Sequence, residues 1–339
     1  MTGLRVGVIG AGRMGGMRAR VLADDRRVTE VLIADRDSDR AQALEAPGIT
    51  AVADVDALFA KSPDAVVVST ATDEHAELVQ RCVSASIPCF CEKPLALELS
   101  DNRALRDLVR RTGARVQVGF HRRFDPELIE ARGAARSGRL GELRRVHLIS
   151  ADAEPPPPGF ITGSGGIFRD LSIHDFDTVR WLTGREILSV YATGSDNGDP
   201  ETSAAGDVRN AVCALTLEGG LVATVHASRD NGGGYDVRLE LAGTRATIAV
   251  GLDDRTPLLP AAADPVVGSG RPWSGFLDRF ESAYARETAA FVDFVTGDRD
   301  TPCGVDDAVE AMCVAVAADR SLRTGKAVSV GEVRAGDDA

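Results

Sequence analysis

Lys93 and His174 are the two side chains in this 339-residue sequence best suited to steady a charge or move a proton beside a ligand. Lys93 stands in Cys91-Glu92-Lys93-Pro94, after a short apolar run of strand type, and it is one of only three lysines (with Lys61 and Lys326). Thirty-six of the 39 basic residues are therefore arginine, so an ammonium kept at this point suggests a task for it, such as stabilising a developing oxyanion. His174 lies in Gly165-Gly166-Ile167-Phe168-Arg169-Asp170-Leu171-Ser172-Ile173-His174-Asp175-Phe176-Asp177. On a helix Asp170 and His174 share a face, and Asp177 continues the stripe. An imidazole bracketed by carboxylates and preceded by two glycines is suited to accept a proton while backbone approaches a ligand. Taken singly, these residues also read as a surface lysine, a helix cap and a surface histidine.

Gly10-Ala11-Gly12-Arg13-Met14-Gly15 follows a strand-like run and opens a helical one. Gly10 would permit a tight turn, Gly12 would let backbone approach a pyrophosphate, and Gly15 would let helix and strand pack closely, with the phosphates at the helix N-terminus. Asp35 lies twenty residues past Gly15, at the end of the second strand-like run, where a carboxylate accepts hydrogen bonds from an adenosine ribose diol. That carboxylate favours NAD because it repels a 2′-phosphate, whereas the neighbouring Arg36 leaves NADP open. Oxidising a secondary alcohol needs a hydride acceptor, a base and a cation for the developing alkoxide. A nicotinamide, His174 and Lys93 supply these, and Asp170 would hold a neighbouring hydroxyl or orient Lys93.

These residues need a scaffold. Runs at 4–9, 29–34, 49–53, 65–69, 87–91 and 115–119 read as strands separated by helical stretches such as 13–23, 74–85 and 100–112, which predicts an N-terminal doubly wound parallel sheet of the Rossmann type over residues 1–122. From 123 to 339 the texture is that of an α+β domain with a large, mostly antiparallel open sheet. Its strands are expected at 142–150, 187–193, 208–217, 221–228 and 235–242, and its helices at 126–137, 276–296 and 305–324. The Gly, Pro and Asp-rich stretches 194–206 and 253–272 are expected to be mobile or ligand-facing loops. The fold class is thus α/β followed by α+β.

Composition narrows the partners. With 39 basic and 51 acidic residues the net charge is −12, which repels phosphate backbones and anionic lipid surfaces, so no nucleic acid partner is expected. No apolar run reaches the roughly 18 residues a membrane helix needs. The sequence enters a strand by Leu4 without a charged-then-apolar leader, so a cytoplasmic location is expected. The six cysteines are too few for a disulfide framework and lack zinc spacing, so no metal site is expected.

Gly10 to Gly15 with Asp35, Thr70 to His75, Glu92-Lys93-Pro94, Gly119-Phe120-His121-Arg122-Arg123-Phe124-Asp125 and Gly165 to Asp177 together resemble the Gfo/Idh/MocA oxidoreductase family, most closely its inositol 2-dehydrogenase branch. The resemblance implies that Lys93, Asp170 and His174 are catalytic and that His75 and Glu92 lie near the cofactor. Gly10, Gly12, Arg13, Met14, Gly15, Asp35, Arg36, Thr70 and Lys93 complete the expected cofactor set. His121, Arg123, Asp152 and Tyr235 join the catalytic trio as expected substrate contacts. It also implies a polyol or sugar substrate and a homodimer or homotetramer formed through the C-terminal sheet. Two other functions share the first domain. A nucleotide-sugar ketoreductase of natural-product biosynthesis would need a basic pocket, which Arg122, Arg123 or Arg169 could form, and a non-catalytic sugar sensor would usually lack Lys93 or His174.

Overall fold

The computed structural model describes residues 3–258, 268 and 270–336. The chain divides into two compact units, Met1–His121 with Ser282–Val309, and Arg122–Glu281 with Glu310–Ala339. In the first, β1 (Leu4–Ile9), β2 (Val28–Ala34), β3 (Ile49–Ala51), β4 (Ala65–Val68), β5 (Cys89–Glu92) and β6 (Val116–Gly119) form one sheet in the order β3-β2-β1-β4-β5-β6. Every neighbouring pair is parallel. Parallel strands are covered on both faces, which is why their runs are almost continuously apolar and why all of β4 is buried. The helices Arg13–Ala23, Thr72–Ser84 and Leu99–Thr112 make crossovers. Strand order reverses between β1 and β4, and the carboxyl ends at such a reversal form the binding crevice of a doubly wound sheet.

Residues 282–309, expected in the second domain, are part of the first unit. Phe291, Val292 and Phe294 of the helix Glu281–Thr296 enter the same core as Val6, Leu22, Ile33 and Phe90, and Phe291 meets Phe90 edge-on with ring centroids 5.7 Å apart. A fully buried arginine completes the join. Arg18 donates to Glu287 at 2.5 Å, to Thr288 at 2.8 Å and to Glu92 at 2.9 Å, with its guanidinium 4.3 Å from the centre of the Phe90 ring. Helical periodicity shows that a face is buried and not what covers it, so the sequence could not place this segment. The expected 276–296 helix is also two helices, Phe276–Arg279 and Glu281–Thr296.

In the second unit β7 (Leu143–Ala151), β8 (Ile187–Ser195), β9 (Asn210–Leu217), β10 (Val222–Ser228), β11 (Asp236–Gly243), β12 (Thr247–Val250) and β13 (Val328–Ser329) lie in the order β12-β11-β7-β10-β9-β8-β13. The sheet is antiparallel except where β7 and β10 pair in parallel. The two strands not expected, β12 and β13, are four and two residues long, too short to show a period. Burial alternates along β9, and Tyr191, Val212 and Val222 are exposed. The expected loop 194–206 holds the end of β8 and the short helix Pro200–Ala204, capped by Asp199. Of the stretch 253–272, residues 259–267 and 269 lie outside the described residues.

Burial beside a second carboxylate, Glu92, raises Glu287 to about 7, although Arg18 pulls it back. Between the ordinary carboxyl range and that value the folded chain holds a proton that unfolding releases, so this group's contribution to stability falls as pH rises through the window. Urea titrations should show wild-type stability declining between pH 5 and pH 8 by about 2 kcal/mol more than that of Glu287→Gln. Parallel profiles would remove Glu287 from this role.

Candidate active site

At the end of β1, Gly10 has φ +100°, and a Cβ there would lie 2.5 Å from the Ser69 carbonyl oxygen. A Cβ on Gly15 would lie 1.7 Å from the Gly10 oxygen, whereas one on Gly12 would meet nothing within 4 Å. Packing therefore demands glycine at 10 and 15, and Gly12 leaves room for a ligand. The helix Arg13–Ala23 starts there with no side-chain cap and no acidic residue in its first turn, so its positive end suits a pyrophosphate. Arg13 is exposed and Met14 half-buried on that turn. Asp35 accepts from the Ala11 N–H at 2.6 Å and from the Asp37 N–H at 2.9 Å, so it braces the glycine loop as well as offering a carboxylate to a ribose. Arg36 is largely exposed, 3.8 Å from Glu74. The residues present thus fit a dinucleotide.

Beyond β4 and β5 the chain is tied by His75. Its Nδ1 lies 2.8 Å from the Pro94 carbonyl oxygen and its Nε2 3.2 Å from that of Thr70. Burial lowers the pKa of His75, which favours the neutral ring, and a neutral ring can donate to only one of these carbonyls. His75 thereby fixes the backbone on either side of the crevice. Glu92 is held by Arg18 through Nε at 3.1 Å and Nη2 at 2.9 Å. Lys93 follows it, half-buried. His121, at the end of this stretch, is buried and stacks on Tyr284 with centroids 4.4 Å apart.

In the second unit Asp170 lies in a π-helical turn, Phe168–Ser172, that runs into the helix Ile173–Thr183 carrying His174. π turns are uncommon and concentrate at functional sites. Nearly the whole of this helix is buried, so its acids need partners. Asp175 accepts from Arg122 at 2.5 Å and from the Ser150 hydroxyl at 2.6 Å, and burial still pushes its carboxyl above the usual range. Asp177 is clamped by Arg123, through Nε at 2.9 Å and Nη2 at 2.5 Å. Arg123, expected at the substrate, is thus engaged in a buried ion pair. Asp170 is gripped at 3.0 Å by Arg229, which sequence reasoning missed, because one arginine past a strand end carries no sign of its partner. Burial pushes the Tyr235 phenol upward against the pull of Arg122, with the charges of Asp152 and Asp175 adding to the rise.

The arginines considered for a diphosphate pocket are all ion-paired, Arg122 with Asp175, Arg123 with Asp177 and Arg169 with Asp319. Among the described residues no helix is long and apolar enough to cross a membrane.

Residues 4–120 match the model of the oxidoreductase family with an NAD-binding Rossmann fold, and residues 128–249 match that of the Gfo/Idh/MocA C-terminal domain. A myo-inositol dehydrogenase of Streptomyces leeuwenhoekii is 37% identical, over 95% of this chain and 98% of its own. The crystal structure of a myo-inositol dehydrogenase from Corynebacterium glutamicum superposes with a TM-score of 0.88 at 33% identity, covering 96% of this chain and 98% of that one. That of scyllo-inositol dehydrogenase from Lactobacillus casei, with bound NAD(H) and scyllo-inositol, gives 0.87 at 25% identity, covering 97% and 99%. With both halves matched and the likeness running through nearly the whole sequence, the chain belongs to the Gfo/Idh/MocA family of NAD-binding oxidoreductases.

Proposed function

We propose that the protein is an NAD-dependent dehydrogenase that oxidises a secondary hydroxyl of a cyclic polyol, as an inositol 2-dehydrogenase does. The observation that carries this reading is Asp170 on a π-helical turn, its carboxylate held by a buried arginine, with His174 in the first turn of the helix that follows. The inositol dehydrogenases among its relatives support the substrate class. When bound, NAD supplies the acceptor for the hydride that leaves the carbinol carbon. Neutral His174 takes the hydroxyl proton, the Lys93 ammonium stabilises the negative charge that builds on that oxygen, and Asp170 accepts a hydrogen bond from a neighbouring hydroxyl or orients Lys93. His121, Asp152 and Tyr235 complete the polyol contacts in this reading, while Arg123 supports the helix that bears His174.

A nucleotide-linked sugar fits less well, because the arginines that could receive its diphosphate already face carboxylates. A non-catalytic sensor would have no use for either Lys93 or His174, and the chain has both. We further infer a homodimer or homotetramer through the open face of the second sheet, where Tyr191, Val212 and Val222 are exposed. The six buried, unbridged cysteines fit a reducing compartment, in keeping with the cytoplasm.

The assignment is tested by following NADH absorbance over a panel of inositols, hexoses and anhydrosugars. An inositol should give the highest kcat/KM, and turnover confined to nucleotide sugars would overturn the substrate class. Lys93→Ala should lower turnover by orders of magnitude with NAD binding nearly intact. The wild-type oxidation rate should rise with pH through one ionisation and then level off. In His174→Asn that ionisation should vanish, with activity down roughly 10²- to 10⁴-fold. An unchanged pH profile in this variant would give the base role to another group.

Asp35→Ser should narrow the preference for NAD over NADP, since it removes repulsion of a 2′-phosphate and leaves Arg36 to pair with it. Because Asp35 also braces Ala11, the same change should weaken NAD itself. A wild type that prefers NADP in steady-state kinetics would contradict this reading of the β2 end.

A further inference from the structure

Arg229 stands one residue past β10, with a side chain 2% exposed. A guanidinium so far out of water needs carboxylates around it. It has two. Nη1 donates to Asp170 Oδ2 at 3.0 Å, while Nη2 donates to Asp207 Oδ2 at 3.0 Å and to the Ser164 hydroxyl at 3.3 Å. The two acids have different surroundings. Asp207 is 9% exposed, accepts the Ile167 N–H at 3.0 Å on its other oxygen, and sends its own N–H to the Thr202 carbonyl at 3.1 Å. It is therefore fastened to the segment that opens the π turn. Asp170 is the accessible member, 23% exposed, on that turn. Between Ser164 and Ile167 the chain bends through Gly165 and Gly166 at φ +79° and +92°, conformations that glycine adopts without strain. The bend brings Ser164 to Nη2 and Ile167 to Asp207, so one guanidinium fixes both ends of the loop that presents Asp170. Its own backbone is set by a hydrogen bond from the Arg229 N–H to the Arg209 carbonyl at 2.8 Å.

We propose that Arg229 is a positioning residue of the dehydrogenase, holding the Asp170 carboxylate in place for the substrate with Asp207 as the fixed anchor of the clamp. The proposal rests on the reading of Asp170 as a group that touches substrate. The clamp uses two arms of a planar fork, each on a different acid. A lysine, with a single point charge on a flexible stem, cannot hold both in that geometry. Misplacing a reacting group by about 1 Å can lower a rate roughly 100-fold, so the loss should fall on turnover and polyol KM and not on NAD affinity.

The test compares wild type, Arg229→Gln, Arg229→Lys, Asp207→Asn, Asp170→Asn and the double variant Arg229→Gln/Asp170→Asn, using the inositol isomer with the highest rate. NAD binding and melting temperature are recorded for each. Arg229→Gln should lower kcat roughly 10- to 100-fold and leave the NAD Kd within about twofold. Arg229→Lys should recover part of the loss, and Asp207→Asn should show a smaller loss in the same direction. In the Asp170→Asn background Arg229→Gln should add little, because the group it positions is already disabled. If Arg229→Gln is too unstable to purify, Arg229→Lys and Asp207→Asn carry the comparison. Wild-type kcat and KM in Arg229→Lys and Asp207→Asn, or equal fold losses from Arg229→Gln in both backgrounds, would overturn the proposal. Wild-type kinetics in Asp170→Asn would instead remove Asp170 from the site, and the reading of the site would fall with it.

Discussion

A guanidinium taken out of water must keep a carboxylate beside it, and the chemistry-bearing segments of this chain are fastened by that requirement. Arg18, Arg122, Arg123 and Arg229 are all buried. Arg18 holds Glu92, the residue before Lys93, and Arg229 holds Asp170. Arg122 holds Asp175, the residue after His174, and Arg123 holds Asp177 on the next turn. Each residue assigned to chemistry is thus either the partner of a buried arginine or the immediate neighbour of one. Such pairs are weak contributors to net stability, yet removing one member leaves the other charged and unpaired, at a cost of about 3–5 kcal/mol. Their effect is to restrict the backbone to one arrangement, which a base and an oxyanion stabiliser need if they are not to reorganise during reaction.

The cofactor end is fixed by a steric limit. The Gly15 Cα passes so close to the Gly10 carbonyl that no side chain fits, whereas Gly12 is open, with room for the phosphate of the proposed cofactor. Asp35 couples this loop to the ribose end, since the carboxylate suited to the diol also holds the Ala11 N–H. In the proposed reading, discrimination between the dinucleotides and the shape of the loop are therefore linked through one side chain.

The parallel sheet was legible because a strand covered on both faces is written as a short, continuous apolar run, and the glycine spacing marks where the first one ends. Lys93, Asp170 and His174 stand out in the sequence by residue type and position, and the proposed function gives them their roles. What the sequence concealed were partners. A helical period at 281–296 does not reveal that Phe291 and Phe294 belong with β1 and Phe90. The stripe through Asp170, His174 and Asp177 does not show that the buried Asp177 must be paired, nor that its partner is Arg123. Arg229 and Arg18 gave no sequence signal, because an arginine in an arginine-rich chain shows its importance only when its surroundings are known.

In the proposed mechanism Lys93 and His174 serve one hydroxyl, the first stabilising the charge that the second creates. A double-mutant cycle on kcat/KM tests it directly, with wild type, Lys93→Ala, His174→Asn and the double variant assayed on the same inositol and NAD binding measured for each. Without the base little alkoxide forms, so the ammonium has little left to stabilise, and the double variant should fall hardly below the worse single variant. Losses that multiply, with NAD affinity unchanged, would contradict the account.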